Sequence, residues 1–65
     1  MVKLTPRERD ILELVAKGLT NREIGKLLFV SMSLVRLYVS KLLEKFEASR
    51  RSELVANAFK DGILK

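Results

Sequence analysis

Five cationic side chains gather in the middle of this sequence. Arg22, Lys26, Arg36, Lys41 and Lys45 fall within residues 20–46, opposed only by Glu23 and Glu44. That segment carries a charge of +3, whereas residues 1–19 and 47–65 carry +1 each. Such side chains hold anions by charge and, for arginine, by a planar fork of donors that matches phosphate oxygens. Nothing comparable points to bond-making chemistry. The sequence has no His to act as a general base and no Cys to act as a nucleophile. The same absences remove the commonest zinc ligands, so no metal or other cofactor is expected. No catalytic residue is assigned. A binding module is expected rather than an enzyme.

The body that must position these charges is small. At 65 residues the chain fits one domain, residues 1–65, and a chain of this size buries only about 60% of its unfolded surface. Hydrophobic residues make up 48%, which excludes a disordered basic tail. The longest aliphatic and aromatic run, Leu27-Leu28-Phe29-Val30, is far short of the roughly 20 apolar residues that span a bilayer. Without a signal peptide either, a soluble, cytoplasmic chain is expected. A net charge of +5 favours an anionic partner, nucleic acid or membrane surface.

The pattern predicts four helices and no strand, over about residues 6–17, 21–28, 32–46 and 51–60. Thr5-Pro6-Arg7-Glu8 and Thr20-Asn21-Arg22-Glu23 are capping boxes, the first with proline at the opening helical position. Ile11, Leu14 and Val15 give the first helix its apolar face, and Gly18 stops it. Ile24, Leu27 and Leu28 are expected to face inward on the second. Ser31 caps the third. There Val35, Val39, Leu42 and Phe46 recur at helical spacing as a buried stripe, which turns Ser33, Arg36, Leu37, Ser40, Lys41 and Glu44 outward.

Only Phe29, Val30 and Ser31 separate the second apolar pattern from the third. So tight a connection makes two short helices cross steeply, as in a helix-turn-helix. Gly25 is the small residue where they approach.

From Leu4 to Leu64 the chain resembles the DNA-binding domain of LuxR/GerE-type bacterial transcription regulators, many of them response regulators. The match is carried by Leu4-Thr5-Pro6-Arg7-Glu8-Arg9, Leu14-Val15-Ala16-Lys17-Gly18-Leu19-Thr20-Asn21-Arg22-Glu23-Ile24 and Leu28-Phe29-Val30-Ser31. It continues through Val35-Arg36, Val39-Ser40-Lys41-Leu42-Leu43-Glu44-Lys45 and Arg51-Ser52-Glu53-Leu54-Val55. The resemblance implies an all-α, four-helix fold whose third helix enters the major groove of double-stranded DNA. It implies base contacts from Arg36, Leu37 and Ser40. It implies phosphate or helix-start contacts from Thr20, Asn21, Arg22, Ser31, Lys41 and Arg51. A receiver or sensor domain commonly precedes such a domain, so this sequence is expected to be either a fragment of a longer regulator or a stand-alone member.

The resemblance also implies a homodimer through the fourth helix. Val55, Phe59 and Ile63 are expected to pack inward, leaving Leu54 and Ala58 as a small seam for a weak dimer. Leu34 stands where the family usually has Thr, Tyr38 replaces a frequent His, and Glu47-Ala48 replace the usual Gly-Val. The last change predicts that the third helix runs on or that its exit is altered. The alternative function is a protein-interaction module of the same fold that has lost specific DNA binding. Exposed Leu37 and non-hydroxyl Leu34 are the features that favour it.

Overall fold

The computed structural model describes residues 2–65 and contains four α-helices: α1 (Pro6–Ala16), α2 (Asn21–Leu28), α3 (Met32–Lys45) and α4 (Arg51–Lys60). Both capping boxes form. The Glu8 and Glu23 backbone N–H groups donate to Thr5 Oγ1 and Thr20 Oγ1 at 3.2 and 3.1 Å. In return the Glu8 and Glu23 carboxylates accept from the backbone N–H groups of Thr5 and Thr20. Ser31 Oγ accepts from Leu34 N–H at 3.1 Å and starts α3. The start of α4 differs, because Arg50 makes no capping bond and Glu53 reaches back to the Ser49 N–H instead.

One core joins the helices. Ile11, Leu12 and Val15 of α1 meet Ile24 of α2, Val35, Val39 and Leu42 of α3 with Phe46 after it, and Leu54 and Ala58 of α4. The α3 stripe is buried as its period requires. Two other expectations fail. Leu27 is 59% exposed, because the eight-residue α2 buries only Ile24 and Gly25. On α4 the facing is reversed, since Leu54 and Ala58 have no exposed surface while Phe59 is half exposed and Val55 only partly covered. Asn57 Nδ2 donates to the Phe46 carbonyl at 2.9 Å, a long-range bond that helps set the rotation of α4. Leu54 and Ala58 are therefore core and cannot form a dimer seam.

The α2–α3 crossing is as close as the sequence suggests. A Cβ on Gly25 would lie 2.7 Å from the Val30 carbonyl oxygen, inside contact distance and against backbone. The turn is closed by Phe29 in the left-handed region (φ 59°), and the Val30 N–H donates to the Gly25 carbonyl at 2.9 Å. Glu47, where the resemblance implies glycine, takes the same region (φ 51°), and α3 ends at Lys45 rather than running on. A bulky side chain in this region costs about 1–2 kcal/mol relative to the right-handed one.

One buried acid ties the ends of α1 and α3 together. Glu8, 4% exposed, accepts from Lys45 Nζ at 2.7 Å, and the same ammonium donates to the Lys3 carbonyl at 3.0 Å. The Lys45 hydrogen bond, then the Thr5 N–H, hold the Glu8 carboxyl below its ordinary value of 4.5.

In urea denaturation, Gly25→Ala should destabilise the fold by roughly 1–3 kcal/mol, as overpacking does, and Phe29→Gly should stabilise it by about 1 kcal/mol. A neutral Gly25→Ala contradicts the close crossing. Because folding lowers the Glu8 pKa, its contribution is complete above the ordinary carboxylate range and is lost as pH falls below 4.5. Glu8→Gln should therefore be less stable than wild type at pH 7, with a shallower loss of stability on acidification.

Candidate nucleic-acid interface

The helices place cations from three directions around one groove. Arg22 at the start of α2, Arg36 on α3 and Arg51 at the start of α4 line a concavity of about 560 Å³. Thr20, Asn21, Ser52 and Met32 share it, and no carboxylate does. Along the adjoining face of α3, Ser33, Arg36, Leu37, Ser40 and Lys41 are all exposed. A second, shallow depression of about 70 Å³ lies there, lined by Leu34, Leu37, Tyr38 and Lys41.

The charges divide into free and committed ones. Among the described residues the one ion pair is Lys45–Glu8, so Lys45 belongs to the fold rather than to the exposed face. Arg22, Lys26, Arg36 and Lys41 are exposed and enter no ion pair, and of these Arg22 and Arg36 line the large groove and Lys41 the small depression. Arg51 is partly buried and bridges two elements. Its Nη1 donates to Asn21 Oδ1 and its Nη2 to the Leu19 carbonyl, each at 2.6 Å. This fork clamps the start of α4 onto the loop that leads into α2. Glu23, the acid next to Arg22, is engaged by Thr20. The Thr20 backbone N–H, then its side chain, hold the Glu23 carboxyl below its ordinary value.

The sequence-predicted residues thus fall into three groups. Thr20, Asn21, Arg22, Arg36 and Arg51 come together around the large groove, with Arg51 and Asn21 bonded to each other. Leu37 and Lys41 line the small depression, and Ser40 lies exposed on the same helix. Ser31 is exposed, with its hydroxyl oxygen accepting from the first turn of α3. The sequence reading missed exposed Met32, at 45%, while Leu34, singled out there for its missing hydroxyl, is 39% exposed on the same helix. No group of three or more metal-ligating side chains occurs among the described residues. No described helix is long and apolar enough to cross a membrane.

A short helix crossed closely by a longer one, which carries an exposed cationic face, defines a helix-turn-helix protein. The comparisons make the class specific. The family model described as "Bacterial regulatory proteins, luxR family" matches residues 2–58, and the chain belongs to that family. The response regulator Rre1 of Synechocystis is 44% identical over 59 residues, covering 91% of this chain and 26% of Rre1. The solved structure of the transcription factor GerE superposes with a TM-score of 0.87 at 31% identity, covering 95% of this chain and 92% of that one. The VqmA dimer of Vibrio cholerae, described among LuxR-type receptors, gives a TM-score of 0.91 at 32% identity, covering 95% of this chain and 28% of that one. The chain spans less than a third of the length of the curated relatives it matches.

The Arg51 clamp generates a prediction of its own. Arg51→Ala should cost about 1.5–3 kcal/mol of folding stability, the range for hydrogen bonds to a charged group. Arg51→Lys should restore little of it, because an ammonium cannot span both acceptors as the fork does. Urea unfolding of the two variants checks this, and full stability of Arg51→Lys contradicts the fork.

Proposed function

We propose that this chain binds double-stranded DNA sequence-specifically as the DNA-binding part of a transcription regulator, with α3 in the major groove. The observation that carries the reading is the groove lined by Arg22, Arg36 and Arg51 without a carboxylate, continuous with the exposed face of α3. Arg22 and Lys41, with the hydroxyls of Thr20 and Ser31 and the Asn21 amide, hold phosphates. Neutralising phosphates releases counterions, which supplies much of the affinity. Phosphate contacts fix the register without carrying sequence information. Arg36 then reads a guanine through O6 and N7, and Leu37 and Ser40 approach neighbouring base edges. In this reading Arg51 acts mainly by holding Asn21 and the start of α2, with any phosphate contact left to its remaining donors. A cytoplasmic location and a receiver or sensor domain elsewhere in the protein belong to the same reading.

Pairing on DNA is part of the proposal, through the outward side of α4 rather than through Leu54 and Ala58. Ala56 and Phe59 are the exposed apolar residues of α4, and Val55, one turn before Phe59, is partly covered. So small a strip supports a weak dimer, formed chiefly when two half-sites hold two copies together.

A protein-docking role is favoured by one observation, the 94% exposure of Phe29 beside exposed Leu27. Binding to a protein through that pair, with no salt-dependent binding to any duplex, would establish it in place of the DNA reading.

The test is binding to a duplex selected from a random pool and to an unrelated duplex, across a salt series. Arg36→Ala should cost about 1–3 kcal/mol on the selected duplex and much less on the unrelated one. Arg22→Ala and Lys41→Ala should weaken both duplexes alike and reduce the salt slope by about one unit each. Equal losses on both duplexes for Arg36→Ala make it a phosphate contact. Unchanged slopes in the other two contradict the docking.

A further inference from the structure

The exposed face of α3 is two stripes of different chemistry. Arg36 and Ser40, four residues apart, make a polar row. Beside it Leu34 and Leu37, three residues apart and 39% and 56% exposed, make an apolar row. Half-buried Tyr38 and the Lys41 stem complete a depression of about 70 Å³ around the two leucines. A lone exposed leucine needs no explanation. Two within one turn, walled by a tyrosine and ending at a free cation, form a small receptor of mixed lining whose apolar part is the two leucines.

Size and chemistry decide what fits. A water molecule takes up roughly 30 Å³ of liquid, and a methyl group is of similar size, so the depression admits about two methyls and no larger side chain. The helix also lacks a reader that other helices use, since Met32–Lys45 contains no Asn and no Gln. Those two amides pair bidentately with adenine. An A·T pair in the major groove then offers this helix one distinctive apolar handle, the thymine 5-methyl.

We infer that Leu34, Leu37 and Tyr38 form a receptor for thymine methyl groups, so that the preferred site carries thymines one or two steps apart beside the guanine read by Arg36. The inference rests on the DNA-binding reading and adds to it the class of base recognised and Leu34 as a specificity-determining residue. Lys41, at the rim of the depression, holds the phosphate of the thymine-bearing strand. Leu34 thereby exchanges the phosphate-directed hydroxyl that the family resemblance implies at this position for a base-directed contact. The spacing agrees, because Cβ atoms three residues apart on a helix lie about 5–6 Å from each other, between one and two base-pair steps of about 3.4 Å.

The experiment uses the chain itself and a duplex selected by it from a random pool. Each thymine of that duplex is replaced in turn by deoxyuridine, which removes the methyl group and nothing else. Wild type should lose about fourfold in affinity at each of two thymines, the effect of about one buried methyl-sized group, and nothing at the others. Leu34→Ala should abolish the penalty at one of the two and Leu37→Ala at the other, with helix content and salt slope unchanged. Wild-type affinity that is indifferent to deoxyuridine at every position, with salt-dependent binding retained, overturns the inference and leaves the DNA-binding reading intact. Both penalties persisting in Leu34→Ala removes Leu34 from the site and likewise overturns it. Failure to bind any duplex overturns both.

Discussion

The arrangement depends on one close approach. Where α2 ends and α3 begins, Gly25 leaves room for the Val30 carbonyl at a distance that a Cβ cannot tolerate. The obstacle is backbone, so no rotamer change relieves it. That contact packs the turn onto α2 and so fixes where α3 begins. Val35, Val39 and Leu42 bury one side of α3 completely, which commits Arg36, Leu37, Ser40 and Lys41 to the other. The left-handed Phe29 is the conformational cost of turning the chain in so few residues.

Two side-chain networks then hold the exposed face in register. At one end Lys45 is drawn onto buried Glu8 and the Lys3 carbonyl, anchoring the last turn of α3 to the start of α1. At the other, the Arg51 fork joins α4 to Leu19 and Asn21, beside Arg22 and Arg36. Both consume a cation to build the fold. What remains for a ligand is a smaller set than composition suggests, concentrated in Arg22, Arg36 and Lys41. A few free cations on a rigid helix-turn-helix suit anchoring and register, and they leave discrimination to the neighbouring α3 side chains.

Much of this was legible in the sequence because the signals are local. Thr5, Thr20 and Ser31 cap helices through partners three residues away, and the α3 stripe follows from its own period. The tight turn was legible too, from a three-residue connection and one glycine. The facing of α4 was not. Leu54, Val55, Ala58 and Phe59 occupy adjacent sides of a ten-residue helix, so periodicity admits either pair as the buried one. The choice rests on contacts distant in sequence, such as Asn57 to the Phe46 carbonyl. The partner of Lys45 was hidden for the same reason, lying 37 residues away at Glu8. Leu27 was read inward from a pattern that a helix of only two turns is too short to enforce.

The central claim is that the arginine-lined groove and the outward face of α3 form one continuous surface for duplex DNA. Amide-detected NMR during titration with a selected duplex tests it most directly, because every helix reports separately. The account predicts that the largest shift changes fall on residues 20–22 and 33–41, with smaller ones around Phe59 where two copies pair, and with Val2, Lys3 and Asp61 at a separate concavity unmoved. Changes concentrated at Val2, Lys3 and Asp61, with α3 silent, would contradict it.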